Sequence, residues 1–267
     1  MTIPNGACDC HMHLFDGRYP FSSEATLIHE TASVDDYLLL RRRLGLSRCV
    51  VVQPSSYGLD HTVMLAGLKR LGSSARGIAV ITPEADDQLL QQLNDHGVVG
   101  ARFNLVQRGA TRETMLEEVA ERIRGYGWHL QLHLLSQDLL RLAERIESLN
   151  VPVVLDHFAR VATEPSLSDE VTETVLSLME TGRVWVKLSG AYISSSKVAG
   201  YGDLDDFVSQ ILAHHPEHVV WGSDWPHVTE ARKPDDAKLM NLLTRWAHDP
   251  RVLKSILIDN PKELYGF

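Results

Sequence analysis

Eight times along its 267 residues this chain repeats one unit, a short apolar run rich in β-branched residues followed by a longer amphipathic stretch. Runs of that kind read as buried strands, and the stretches between them as helices with one apolar face. The strands are expected at Ala7–Phe15, Arg48–Gln53, Gly77–Thr82, Gly100–Leu105, His129–Leu135, Val151–His157, Val184–Leu188 and His218–Ser223. Helices are expected at Val34–Leu44, from the turn at Pro54–Gly58 to about Leu71, and at Asp86–Asp95, Arg112–Arg124, Gln137–Ser148, Ser166–Thr181 and Leu204–His214. Thr111 is placed as the N-cap of the fourth helix. Two helical pieces close the chain, the last capped by Asn260 with Pro261 in its first position. A strand returning through a helix lies parallel to its predecessor, and eight such units in succession predict an α/β fold of the (β/α)8 TIM-barrel type. No Gly-x-Gly-x-x-Gly follows any strand, which removes the main support for a doubly wound dinucleotide-binding sheet. Without a composition break or low-complexity linker, the whole span 1–267 reads as one domain, able to bury about three quarters of its unfolded surface.

Charge limits the partners. A formal net charge of −9 argues against nucleic acid and against an anionic membrane surface. No apolar run approaches 18 residues, and the N-terminus has no charged-plus-apolar leader pattern. Cys8, Cys10 and Cys49 lack zinc-site spacing and make a poor disulfide framework, so reduced, buried thiols in a cytoplasmic protein are expected.

In a barrel of this kind the site lies where the strands end. His11 and His13 stand two apart on the first strand and so share a face. Gln53 ends the second strand, with Ser55 and Tyr57 just beyond it. Arg102 and Asn104 share a face of the fourth, and Arg108 follows in the loop. The fifth strand brings His133, the sixth His157, the seventh leads into Ser189 and Tyr192, and the eighth ends at Asp224. Each has a bland reading alone. Arg102 could simply pair a carboxylate, His133 and His157 could be buried structural histidines, and Asp224 could cap the turn before Trp225-Pro226. Four histidines, two arginines and an aspartate at the same end of successive strands are hard to obtain from independent structural roles.

The pattern resembles the amidohydrolase superfamily, within it the branch of 2-pyrone-4,6-dicarboxylate lactonase, sugar-acid lactonases and galactarolactone isomerase. The matching pieces run in order over nearly the whole chain. They include Asp9-Cys10-His11-Met12-His13, Val52-Gln53-Pro54-Ser55, Ala101-Arg102-Phe103-Asn104, Val154-Leu155-Asp156-His157 and Gly222-Ser223-Asp224-Trp225-Pro226-His227. The resemblance implies a catalytic set of Asp224 as general base and His11, His13 and His157 to polarise a lactone carbonyl and hold the oxyanion. It implies substrate binding by Arg102 and Arg108, whose planar guanidinium groups suit a carboxylate, together with Ser55; Tyr57 and Tyr192 are further candidates. Two departures stand out. His133 occupies a position where the dicarboxylate lactonase pattern has a tyrosine, and the arginine expected shortly after the seventh strand is missing from Ser189-Gly190-Ala191-Tyr192-Ile193, which suggests a substrate with fewer carboxylates. Metal-dependent members use the equivalents of His11, His13, His133 and Asp224, a set that suits one Zn2+ or Mn2+ with an open position; a metal-free mechanism is the equal alternative.

The leading expectation is a hydrolase that opens a carboxylated lactone by attack of water on its carbonyl, in carbohydrate or aromatic catabolism. Alternatives are lactone isomerisation, in which a substrate hydroxyl replaces water, metal-dependent decarboxylation, and a binding protein on a retired barrel. The segment Asp16–Ser33 would either cover the mouth or meet a neighbouring subunit; the oligomeric state is not readable from the residues.

Overall fold

Strand and helix follow one another in the predicted order in the computed structural model, which describes residues 3–197 and 200–267. The elements are β1 (Cys8–Met12), α1 (Val34–Leu44), β2 (Arg48–Val52), α2 (Thr62–Leu71), β3 (Ala75–Ala79), α3 (Asp87–Asp95), β4 (Val98–Asn104), α4 (Leu116–Arg124) and β5 (His129–His133). They continue as α5 (Ser136–Ser148), β6 (Val153–Leu155), α6 (Ser168–Glu180), β7 (Val184–Leu188), the short α7 (Ala191–Ser194), α8 (Asp205–His214), β8 (Val219–Trp221), α9 (Asp236–Trp246), α10 (Pro250–Lys254) and α11 (Asn260–Tyr265). Each strand pairs in parallel with the next, in the order β1 to β8. The ring closes between β8 and β1, where Asp224 N–H donates to His11 O and His13 N–H to Trp225 O, both at 2.8 Å. This is a (β/α)8 barrel.

Two layers of packing hold it. Cys8, Cys10, Val50, Val52, Val154 and Trp185 fill the inside of the ring, with Tyr265 packed among them. A larger apolar layer lies between the strands and the helices. The three cysteines are free and buried. Among the described residues, no helix is long and apolar enough to cross a membrane.

Local chemistry explains where several elements start. Ser33 accepts from Asp36 N–H while the Asp36 carboxylate accepts from Ser33 N–H, a capping box that starts α1. Asp86 caps α3 by accepting from Leu89 N–H. Two expected caps are corrected. Thr111 does not cap α4, which is preceded by a 3-10 turn at Glu113–Met115 without a side-chain cap. Asn260 does not cap the last helix either. It lies inside a continuous helical run, and its amide donates to Pro216 O at 2.8 Å and Val219 O at 2.7 Å, tying the chain end to β8. The sixth strand is shorter than expected, ending at Leu155, because the backbone turns left-handed from His157.

The seam between β1 and β8 is tight and polar. Gly222 lies against β1 so closely that a Cβ there would come within 2.7 Å of His11 N, so glycine is required. Asp9 is fully buried beside it and accepts from Ser223 N–H (2.8 Å), Ser223 Oγ (2.6 Å) and Tyr37 Oη (3.1 Å). The register of β1 shifts between Asp9 and Met12, so Cys8 and Cys10 join the inner cluster while His11 above them reaches Asp156 and Lys187 across the barrel.

Candidate active site

Closing the seam brings β1 and β8 chemistry together. His11 Nε2 lies 3.3 Å from His13 Nε2, and Asp224 Oδ1 lies 3.6 Å from the first and 3.5 Å from the second. His13 Nδ1 is 2.7 Å from Val52 O. A carbonyl only accepts, so Nδ1 carries a proton, and Nε2 faces His11 and Asp224. On the far side of the carboxylate, Tyr192 Oη lies 2.7 Å from Asp224 Oδ2 and 2.9 Å from His227 Nδ1, whose Nε2 is 3.0 Å from Asp236 Oδ1. Asp224 is buried, which by itself raises a carboxyl pKa. His157, His13 and His11 outweigh that effect and hold it well below the usual carboxylate range. Asp224 is therefore ionised.

His157 enters from an unusual turn. His157, Phe158, Ala159 and Arg160 all have φ between 51° and 58°, a left-handed turn that costs about 1–2 kcal/mol per residue for side chains other than glycine. The surroundings impose it: Ser194 Oγ donates to His157 O, and Ser136 Oγ donates to Arg160 O at 2.8 Å. His157 Nδ1 lies 3.0 Å from Ser189 Oγ and 3.2 Å from Ser189 O. Beneath it a charged group is wholly enclosed. Lys187 Nζ reaches Gln131 Oε1 at 2.6 Å, Asp156 Oδ1 at 3.1 Å and His11 Nδ1 at 3.4 Å. Gln131 donates to Asp156 Oδ2 at 2.9 Å. Burial would raise Asp156, but Lys187 and His11 hold it well below its ordinary value. Burial pushes His11, His133 and His157 below the usual histidine range.

Two joined cavities lie over these groups. The larger, about 260 Å³, is lined by His13, Arg102, His133, His157, Arg160 and Asp224. The smaller, about 50 Å³, is lined by Phe15, Leu27, Ser55, Arg102, Asn104 and Arg108. Arg102 belongs to both. It is buried and donates to Gln53 O at 2.7 Å, while Asn104 donates to Ser55 Oγ at 3.1 Å. Leu27 also lines both cavities, so the segment Asp16–Ser33 covers the mouth. It is pinned there by Ser22 N–H to Ser56 O at 2.8 Å and Thr26 Oγ1 to Gln107 Oε1 at 2.9 Å.

Most of the predicted site residues therefore meet: His11, His13, His157, Asp224, Arg102, Arg108 and Ser55. Three are placed differently. Tyr57 does not line the cavity; its hydroxyl sits between Asp16 N–H (2.9 Å) and Asp16 O (3.2 Å) and anchors the covering segment. The Tyr192 hydroxyl is taken up by Asp224 and His227. His133 lies outside the cluster of His11, His13 and Asp224. Its ring meets that of His157 at 4.6 Å between centroids, and neither of its nitrogens has a hydrogen-bond partner among the described residues. Lys187, Gln131, His227 and Asp236 were not singled out from sequence. A lysine in the middle of an apolar strand was the one signal that could have pointed to the first.

The ligand-capable atoms of His11, His13 and Asp224 all lie within 4.8 Å of one another. His13 has its other ring nitrogen held by a carbonyl and His11 has its own facing a carboxylate, as outer-shell partners hold metal-bound histidines. This trio fits a divalent cation. The fourth expected ligand, His133, is not part of it.

Comparison with known proteins gives a consistent picture. A family model described as Amidohydrolase matches residues 8–267. The chain is 34% identical over 277 aligned positions to a 2-pyrone-4,6-dicarboxylate hydrolase of Comamonas testosteroni, covering 98% of this chain and 91% of that protein. It is 30% identical to a D-galactarolactone isomerase of Agrobacterium fabrum, with 99% and 92% covered. A crystal structure from Agrobacterium tumefaciens superposes with a TM-score of 0.93 at 29% identity, covering 99% of this chain and 97% of the other.

Proposed function

The chain belongs to the amidohydrolase family, and we propose that it hydrolyses a carboxylated lactone. One observation carries this reading: an ionised Asp224 set against three imidazoles in a cavity that also holds Arg102 and opens towards Arg108. Arg102, Arg108, Asn104 and Ser55 bind a substrate carboxylate and fix the ring over the seam. Asp224 takes a proton from a water molecule as its oxygen attacks the lactone carbonyl. His11, His13 and His157 surround the carbonyl oxygen and stabilise the charge that develops on it. When the ring C–O bond breaks, Asp224 returns its proton to the leaving alkoxide, so one water is consumed and one carboxylic acid is formed. Tyr192, held by His227, aims the Asp224 carboxylate throughout. A Zn2+ or Mn2+ held by His11, His13 and Asp224 would supply a Lewis acid for the carbonyl and for water. The named relatives support a small lactone as substrate.

The test is acid release from the purified protein against a panel of carboxylated lactones, read with a pH indicator before and after chelation. Wild-type protein releases acid and Asp224→Asn does not; no release from any lactone would overturn the reading. Activity that survives chelation assigns the chemistry to the side chains alone, and activity restored by Zn2+ or Mn2+ assigns it to the loaded trio.

A second reading, lactone isomerisation, is favoured by the isomerase relative. There a substrate hydroxyl takes the place of water and gives its proton to Asp224. The product is an isomeric lactone and no acid is released.

A further inference from the structure

Lys187 is the charged group that this mechanism leaves unused. It stands in β7 between Val186 and Leu188, and its side chain and that of Asp156 are both 0% exposed. A buried ion pair is a weak source of stability, since apolar residues of similar volume often serve as well. What sets this pair apart is its place behind the seam. Lys187 Nζ donates to Gln131 Oε1 at 2.6 Å, with Asp156 Oδ1 at 3.1 Å and His11 Nδ1 at 3.4 Å. Gln131 in turn donates to Asp156 Oδ2 at 2.9 Å. The ammonium therefore meets the His11 nitrogen that points away from the seam, while Nε2 points into it.

The other two imidazoles of the site are held differently. His13 Nδ1 lies 2.7 Å from Val52 O, and His157 Nδ1 lies 3.2 Å from Ser189 O and 3.0 Å from Ser189 Oγ. A hydrogen on Nδ1 satisfies these oxygens in both rings. His11 Nδ1 faces an ammonium instead. Asp156 Oδ1 is also 3.4 Å from it, but that oxygen accepts no hydrogen bond of good geometry among the described residues. An ammonium only donates, so its bond to His11 Nδ1 needs a lone pair there. The contact of 3.3 Å between His11 Nε2 and His13 Nε2 needs one hydrogen between them, and with His13 holding one on Nδ1, His11 is the ring placed to supply it. We propose that Lys187 is a positioning residue of the reaction: by donating to His11 Nδ1 it keeps the ring hydrogen of His11 on Nε2, aimed into the seam, where it meets the carbonyl oxygen as charge develops there. The role at the oxyanion rests on the lactone reading, while the place of the hydrogen does not.

The experiment is 15N–1H correlation NMR of the imidazole rings in histidine-labelled, chelator-treated protein, with the His11 signals assigned by their loss in His11→Gln. Chelation matters because a cation on Nε2 would displace the hydrogen. Wild type is expected to carry the His11 hydrogen on Nε2. In Lys187→Met, which keeps the length of the side chain and has no donor, the hydrogen should move to Nδ1, facing Asp156. There kcat for the best lactone should fall about a hundredfold with KM changed less than about threefold. A hydrogen on Nδ1 in wild type, or on Nε2 in both proteins, overturns the proposal, and so does an effect confined to KM. Should Lys187→Met not fold because Asp156 is left unpaired, Lys187→Met/Asp156→Asn removes both buried charges. Both ring forms should then be populated, and Nε2 alone would overturn the proposal. Failure of every lactone to release acid would strike the lactone reading and leave the NMR result standing.

Discussion

The hydroxyl of Tyr192 lies 2.7 Å from Asp224 Oδ2, and since an ionised carboxylate can only accept, the tyrosine is the donor. The same hydroxyl is 2.9 Å from His227 Nδ1, which ties it through the ring to Asp236. One oxygen of Asp224 is thus held by this chain of contacts while the other faces His11 and His13. Tyr192→Phe removes the donor and leaves the ring. The expected result is a fall in kcat of about tenfold with KM nearly unchanged, measured by steady-state kinetics. A change confined to KM would make Tyr192 a substrate contact after all.

Asp224→Asn should retain the fold and lose about a thousandfold in kcat/KM, because asparagine cannot accept the proton of water. Circular dichroism and the acid-release assay check the two halves. A rate within tenfold of wild type would contradict the role.

Because the histidines hold Asp224 well below the usual carboxylate range, its ionised form persists into acid. The acid limb of a kcat/KM–pH profile should therefore lie below the ordinary range for aspartate. An acid limb between pH 5 and 7 would mean that another group is the base.

Asp9 behaves in the opposite sense. Burial raises its pKa from 3.8 to about 6, despite the donors from Ser223 and Tyr37. A carboxyl raised on folding contributes stability below its unfolded pKa and loses it as pH rises through the folded value. About two units correspond to about 3 kcal/mol, lost between roughly pH 4 and pH 6. Asp9→Asn has no proton to lose. Urea denaturation across pH 4–7 should show wild type losing stability relative to this variant by that order, and a constant difference would contradict it.

The metal question has a residue-level answer. If a cation is held by the trio at the seam, His13→Asn should abolish binding of one equivalent of Zn2+ measured by calorimetry, and His133→Asn should retain it. Loss in both variants would return His133 to the ligand set.

Much of this was readable in the residues because it follows from short-range chemistry. Strand alternation put His11 and His13 on one face, and the repeat of eight units carried the barrel. What was hidden depends on contacts between distant segments. The left-handed turn at His157–Arg160 is imposed by Ser136 and Ser194, and nothing local announces it. Lys187 stands out in an apolar strand, but only the closed ring sets it against Asp156 and Gln131. The hydroxyl contacts of Tyr57 and Tyr192 are hidden for the same reason, since their partners, Asp16 and Asp224, lie 41 and 32 residues away.

The most direct test of the central claim is turnover of the best carboxylated lactone in H2 18O, with the product examined by mass spectrometry. Attack of water on the carbonyl places one 18O in the newly formed carboxylate and none in the released hydroxyl. An isomeric lactone without label, or label in the hydroxyl alone, would contradict it.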